Sequence, residues 1–129
     1  MPTTVAAYVV VQDNELLVEA AAPQQTFPCF DTPDEDENLP SVLVCRLRPF
    51  MGEDESIRVD LKLNNSPIGA DFFFDTGKRG WTETIREGLL KPEGNELTVT
   101  LSSVDGSPAP VGSLIGVQEV SLFYSVTLP

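Results

Sequence analysis

The strongest constraint on the fold is a period of two in the apolar residues. In the segment Ile57–Leu63, IRVDLKL, every second residue is a large aliphatic, and Arg, Asp and Lys lie between them. A helix would spread the aliphatic side chains around its circumference, whereas an extended strand places them all on one face. The segment is therefore predicted to be a β-strand with one face in a core and the other in water.

The same alternation recurs along the chain. It predicts further strands at residues 5–11, 16–21, 41–47, 68–74, 96–101 and 120–128. The first two flank a short polar segment, residues 13–15, and are expected to form a hairpin. With 11 prolines and 9 glycines the chain has little room for long helices, and a single turn at residues 84–90 is the helix candidate.

Short strands separated by Pro, Gly and Asn turns predict an all-β fold. We expect an antiparallel jelly-roll-like β-sandwich of about eight strands, with the first and last strands adjacent in one sheet. Residues 1–129 are predicted to form a single domain. Residues 23–40 are rich in proline and acids and are predicted to be a long surface loop.

The charge of the chain restricts its partners. Lysine and arginine number 8 against 20 aspartates and glutamates, which gives a net charge of −12. Nucleic acids and anionic membrane surfaces are bound through basic side chains, so neither is an expected partner. The segment before Val5 lacks the basic and apolar parts of a signal peptide, so the default expectation is a cytoplasmic protein, unless a leader has been removed.

The absence of histidine removes most catalytic chemistry. Without it, Ser-His-Asp and Cys-His catalysis and histidine-ligated metals are all excluded. Cys29 and Cys45 alone cannot fill a tetrahedral zinc site, and they are expected to be either two buried thiols or one disulfide. We therefore do not expect an enzyme, although a glycosidase-type carboxylate pair stays open because spatial pairing cannot be read from sequence.

The order of parts from residue 57 onwards resembles a known family. The alternating strand leads to an Asn64–Asn65 turn, a strand containing Gly69, a Phe-rich strand, Trp81, and the run LLKPEGNELTV at residues 89–99. This order resembles the galactose-binding-like jelly roll, the sugar-binding accessory domain of many glycosidases, and residues 116–122 are similar to its last strand. The resemblance covers residues 57–128 and implies a non-catalytic binding role.

The sequence departs from that family in two places. Asn64 and Asn65 are followed by Ser66, where the family has Asn-Gly, and no carbohydrate-contacting motif is identifiable. The resemblance thus supports the fold more directly than the ligand. Our first hypothesis is a module that binds a carbohydrate or glycoconjugate through loops at one end of the sandwich.

Three residues near residue 80 are the candidate ligand-binding residues: Trp81, Asp75 and Arg79. Trp81 is the sole tryptophan and lies between charged residues. An exposed indole could stack on the apolar face of a sugar or anchor a protein interface. The alternative is that Trp81 closes one end of the core.

The acids of the 23–40 segment give a candidate metal site. Asp34 and Asp36 lie in the run DEDEN, and closely spaced carboxylates can bind calcium. The EF-hand spacing is not met, and the alternative is a solvated loop of mutually repelling acids. No cofactor other than calcium is predicted.

A second function remains open beside sugar binding. Phe72 and Phe74 must face away from Phe73 on a strand, so one side of the sheet gains an aromatic patch unless a neighbour covers it. The second hypothesis is a structural or assembly protein that docks a partner protein or forms a homo-oligomer through a sheet edge and this patch.

Overall fold

The computed structural model describes residues 2–129, and these contain nine strands and no helix. The strands are β1 (Thr3–Gln12), β2 (Leu16–Glu19), β3 (Gln24–Thr26), β4 (Ser41–Phe50), β5 (Ile57–Leu63), β6 (Ser66–Phe73), β7 (Arg79–Ile85), β8 (Leu97–Ser102) and β9 (Leu114–Leu128). No helix that could span a membrane is present in this part of the chain.

The strands form two antiparallel sheets. Sheet A has the order β1-β9-β4-β7, and β2 also pairs with β9. Sheet B has the order β3-β8-β5-β6. The predicted jelly-roll-like β-sandwich is confirmed, with nine strands in place of eight, and the first and last strands are adjacent as predicted.

The core lies between the two sheets and follows the alternation seen in the sequence. In β5 the four aliphatic side chains are buried, whereas Arg58, Asp60 and Lys62 face away from the core. Leu43, Leu122 and their neighbours supply the opposing layer from sheet A. Each such side chain contributes roughly 1.5–3 kcal/mol when fully buried, so this layer is the main source of stability.

The predicted hairpin at residues 13–15 is wrong. β1 and β2 pair one after the other with β9, through Gln12↔Val120 and Leu16↔Val117, so the chain does not reverse between them. The polar segment instead passes a bulge that β9 forms opposite β4, where Glu119 has a φ of 53° and its N–H donates to Asp13 O. A hairpin turn and a short connection that runs past a β-bulge can both consist of polar residues. The local sequence therefore does not distinguish the two.

Two other segments differ from the prediction. The helical turn at residues 84–90 is absent, because β7 continues to Ile85 and ends in a turn with Gly88 at a φ of 78°. The segment 23–40 contains the short strand β3 and also buries Phe27 and Phe30 against the core, so its first part is not a free surface loop.

A buried amide connects two turns and the extended segment at Phe30 at one end of the sandwich. Asn95 is 0% exposed, and its Oδ1 accepts hydrogen bonds from Lys91 N (2.8 Å) and Asn64 Nδ2 (3.0 Å). Its Nδ2 donates to Lys91 O (2.8 Å) and Phe30 O (3.2 Å). The preceding turn places Gly94 at a φ of 69°, the left-handed conformation expected of this glycine.

In the turn between β5 and β6, Asn64 and Asn65 take the place of the Asn-Gly pair that the resembled family has. Asn64 and Asn65 have φ values of 51° and 67°, as a primed two-residue hairpin turn requires. Asparagine tolerates this conformation better than most residues. Asn64 also accepts a hydrogen bond from Glu96 N (2.9 Å) and donates one to Leu89 O (2.9 Å), so the turn is fixed to the segment that leads into β8.

We predict that Asn95→Ala lowers the free energy of unfolding by about 3 kcal/mol, because it leaves several buried backbone and amide groups without partners. Urea denaturation measures the change, and Asn14→Ala, at an exposed position, is the control, with an expected change below about 0.5 kcal/mol. Equal effects of the two substitutions would show that the buried amide does not organise this end of the fold.

Candidate functional site

Trp81 lies in the core, not on the surface. Its side chain points inward from β7, the residue is 7% exposed, and its Nε1 donates a hydrogen bond to Glu83 Oε1 at 2.7 Å. The indole is therefore not available as an exposed platform, in contrast to its prediction as a ligand-binding residue. The structure shows the alternative of a tryptophan that packs at the margin of the sandwich core.

Arg79 and Asp75 are accessible but have local partners. The guanidinium of Arg79 lies 3.9 Å from the centroid of the Phe73 ring and 3.1 Å from Asp71 Oδ2, so it connects β7 of sheet A to β6 of sheet B. Asp75 accepts a hydrogen bond from Gly77 N at 3.0 Å within the loop. Nothing in these contacts brings the two residues together with Trp81, and their ligand-binding role stays a prediction.

The predicted calcium ligands do not gather into a site. Asp36 accepts hydrogen bonds from Thr127 Oγ1 (2.6 Å) and Asn38 N (3.0 Å), which lower the pKa of its carboxyl. Asp34 has a φ of 59° in the same turn region. Within residues 2–129 no group of three or more acids or cysteines is placed to hold a metal ion, so calcium binding at Asp34 and Asp36 also stays a prediction.

The outward face of sheet B carries a regular grid of side chains that are polar on β3, β8 and β5 and apolar on β6. The cross-strand registers place three rows on this face: Phe72, Arg58 and Ser102; then Ala70, Asp60, Thr100 and Gln24; then Pro67, Lys62, Thr98 and Thr26. Three residues of this face, all on β5, are ionisable. The charges therefore form a line along one strand, with neutral hydroxyl and amide groups of β8 and β3 on one side and apolar groups of β6 on the other.

This grid contains a groove. A depression of about 350 Å³ is lined by Gln24, Arg58, Asp60, Lys62, Pro67 and Thr100, and we call it the sheet B groove. Arg58 donates to Asp60 through Nε (3.0 Å) and Nη2 (2.9 Å), a bidentate pair that raises the pKa of the arginine. The Arg58 guanidinium also lies 5.6 Å from the centroid of the Phe72 ring. The pair fixes donors and an acceptor on the floor of the groove.

Other depressions offer less to a polar ligand. Two, of about 240 and 280 Å³, lie side by side at one end of the sandwich and share Ala20, Ala21 and Gly112. The hydroxyl of Ser113 is already bonded to Pro110 O at 2.6 Å. These surfaces are lined mostly by small apolar groups, so the sheet B groove has the denser array of hydrogen-bonding side chains.

The outward face of sheet A differs in character. Arg48 and Glu15 form a bidentate ion pair that passes over Gly116 of β9, and this pair lowers the pKa of Glu15. Further along the sheet, Tyr8 and Phe123 lie with ring centroids 6.0 Å apart. Sheet A thus has an ion pair at one end and an aromatic pair at the other.

Comparisons with known proteins inform the fold alone. No protein-family model and no curated protein sequence matches this chain. Among solved structures, dimeric latent PorU from Porphyromonas gingivalis is similar with a TM-score of 0.63 and 12% identity, over 93% of this chain and 13% of that one. The C-terminal domain of EclA, a sugar-binding protein, is similar with a TM-score of 0.53 and 10% identity, over 93% of this chain and 78% of that one.

The chain shares its fold, an antiparallel jelly-roll-like β-sandwich, with these two structures. The expectation drawn from residues 57–128 is confirmed at the level of the fold, and the likeness extends to nearly the whole chain. Identities this low carry over no ligand or activity. The chain corresponds to about an eighth of PorU, so that protein's other properties do not bear on this domain.

The cysteines give a direct test of the packing. Both are free thiols; Cys29 is exposed, whereas Cys45 is buried, which raises its pKa to about 12. We predict that a thiol reagent modifies one cysteine in the native protein and both in denaturant, and that Cys29→Ser abolishes the native reaction. A disulfide, or two fast native thiols, would contradict the structure.

The Glu15–Arg48 pair makes a pH prediction. A Cβ added at Gly116 would lie 2.5 Å from Glu15 Oε2, so Gly116→Ala should displace the carboxylate and return the pKa of Glu15 towards its ordinary value. Because the native pKa is lowered, the pair stabilises the fold above the ordinary pKa of glutamate and loses this effect as pH falls through the native value.

An NMR titration of the Glu15 carboxyl carbon measures this pKa. Gly80→Ala is the matched control on the same sheet, because its added Cβ would meet nothing closer than Cys45 O at 3.9 Å. An unchanged Glu15 pKa in Gly116→Ala would disprove the account of this contact.

Proposed function

We propose that this chain is a non-catalytic carbohydrate-binding domain whose ligand lies in the sheet B groove. The observation that carries the proposal is the line Arg58, Asp60, Lys62 on the outward face of β5, with neutral polar groups on β8 on one side and the apolar residues of β6 on the other. The fold is shared with the C-terminal domain of EclA, a sugar-binding protein, so this fold is compatible with a ligand of that class. This site lies on a sheet face, whereas the sequence pointed to loops at one end.

The spacing of the groove suits a ligand with many hydroxyl groups. Alternate residues of a strand lie about 7 Å apart, and neighbouring strands about 4.8 Å apart. Arg58 and Lys62 therefore present donors on either side of the Asp60 acceptor, while Thr100 and Gln24 add groups that both donate and accept. A sugar hydroxyl donates and accepts in the same way, so it can satisfy both kinds of partner.

Phe72 supplies an apolar surface at the end of the groove. Its ring is partly exposed and lies beside the Arg58 guanidinium, which restricts the motion of both groups. Aromatic rings bind the apolar face of a sugar by stacking. Phe72 thus takes the role that the sequence had assigned to Trp81.

The charge of the groove restricts the class of sugar. Two cations and one carboxylate line this face, although the whole chain has a net charge of −12. The local balance is therefore more positive than the rest of the surface. It favours neutral sugars and uronic acids over amino sugars with a free ammonium group.

The same face argues for binding without catalysis. Glycoside hydrolysis normally requires two carboxyl groups on opposite sides of the scissile bond. Asp60 is the one carboxylate in the three rows of this face, and Arg58 holds it in a bidentate ion pair. The groove can therefore orient a sugar but has no second acid to complete a hydrolytic pair.

A glycan array followed by calorimetry tests the proposal. We expect the full chain to bind at least one neutral or uronic-acid oligosaccharide, and Arg58→Ala to weaken that binding roughly tenfold or more, because a hydrogen bond to a charged group contributes about 1.5–3 kcal/mol.

Arg46→Ala is the matched control. Arg46 also faces outward, and it pairs with a single acid, Glu119, at 3.6 Å, but it lies on sheet A. Its substitution should leave the affinity unchanged. A flat array across diverse sugars, or equal losses in the two variants, would reject the sheet B groove as a sugar site.

A further inference from the structure

β1 is an edge strand without a single charged side chain. Its ten residues, TTVAAYVVVQ, contain no lysine, arginine, aspartate or glutamate, in a chain with 28 such residues among 129. β1 lies outermost in sheet A, and its pairing is with β9. Alternate backbone N–H and C=O groups of β1 therefore point away from the sheet.

The other three sheet edges carry features that discourage strand pairing. β3 is three residues long, β7 contains Arg79 and Glu83, and β6 contains Pro67 beside a register shift. Short strands, charges, prolines and bulges are the usual means by which proteins protect an edge. β1 has a bulge at its end, between Val10 and Gln12, but from Thr3 to Val10 its register with β9 is continuous.

The free edge continues into an apolar surface. On the outward face, Tyr8, Val10 and Phe123 are 68%, 51% and 46% exposed. Their neighbours in the same rows are Val42, Val44 and neutral hydroxyl residues of β7 and β9. The edge thus combines unpaired backbone groups with a large exposed apolar area, a combination typical of an interaction surface.

We propose that β1 pairs antiparallel with β1 of a second copy, across a two-fold axis near Ala7 and Tyr8, and so forms a homodimer. Each chain carries a net charge of −12, so most approaches of two copies bring carboxylates together. Pairing through β1 places no charged side chain of that strand opposite another. A two-fold axis makes the contact self-complementary and closed, and it joins the two five-stranded sheets into one.

The dimer leaves the sheet B groove open. The two-fold axis of an antiparallel strand pair runs perpendicular to the sheet, so the sheet B faces of both copies lie on the same side. The inference is independent of sugar binding, because it concerns sheet A and is tested by mass.

Light scattering and sedimentation from roughly 1 µM to roughly 1 mM protein test the inference over the usual range of weak to moderate affinities. The full chain should pass from 14.0 kDa to twice that mass as its concentration rises. Tyr8→Glu should weaken association roughly tenfold or more, because it removes an aromatic contact and places like charges near the axis.

Thr84→Glu is the matched control, since it adds the same charge at an exposed position of the same row on the opposite edge of sheet A. It should dimerise as the unmodified chain does. Mixing Tyr8→Glu with Tyr8→Lys should restore association between the two variants, which also shows that each is folded. A chain that stays at 14.0 kDa throughout, or a Thr84→Glu variant that dissociates as readily, would overturn the proposal.

Discussion

The buried side chain of Asn95 is the contact on which this end of the sandwich depends. It joins the turn that precedes β8 to the extended segment at Phe30 and, through Asn64, to the turn between β5 and β6. A buried amide is stable only when its donors and acceptors are satisfied, so its partners must keep their positions. One side chain therefore fixes where three connections meet.

The register that these contacts maintain also creates the candidate site. β5 pairs with β6 on one side and β8 on the other, and the Asn64 turn sets where both pairings start. A slip of one residue would move Arg58, Asp60 and Lys62 into the core and the aliphatic residues into water. The stability of the core and the composition of the groove therefore depend on the same register.

Local periodicity predicted the strands well, because the alternation of apolar and polar residues depends only on consecutive residues. β5 has the predicted bounds, and the C-terminal strand buries Val120, Leu122 and Tyr124 on the predicted side, whereas Leu128 at its end is exposed. The pairing of strands that are distant in the sequence was harder to predict. The sequence did not show that β2 continues along β9, that Trp81 packs inward, or that Gln24 reaches the row of Asp60, because each depends on which strands become neighbours. The sequence showed that one side of β5 is polar. It did not show that this side lines a groove, because the groove also depends on residues of the neighbouring strands.

The central claim is that this register turns one face of sheet B into a binding surface, and NMR titration of labelled protein with an array-selected oligosaccharide tests it most directly. The account predicts that shift changes concentrate at Gln24, Arg58, Asp60, Lys62 and Thr100, while β1 and the loop containing Asp75 stay unaffected. Changes centred on Asp75 and Arg79 would instead place the ligand at the end of the sandwich and contradict the account.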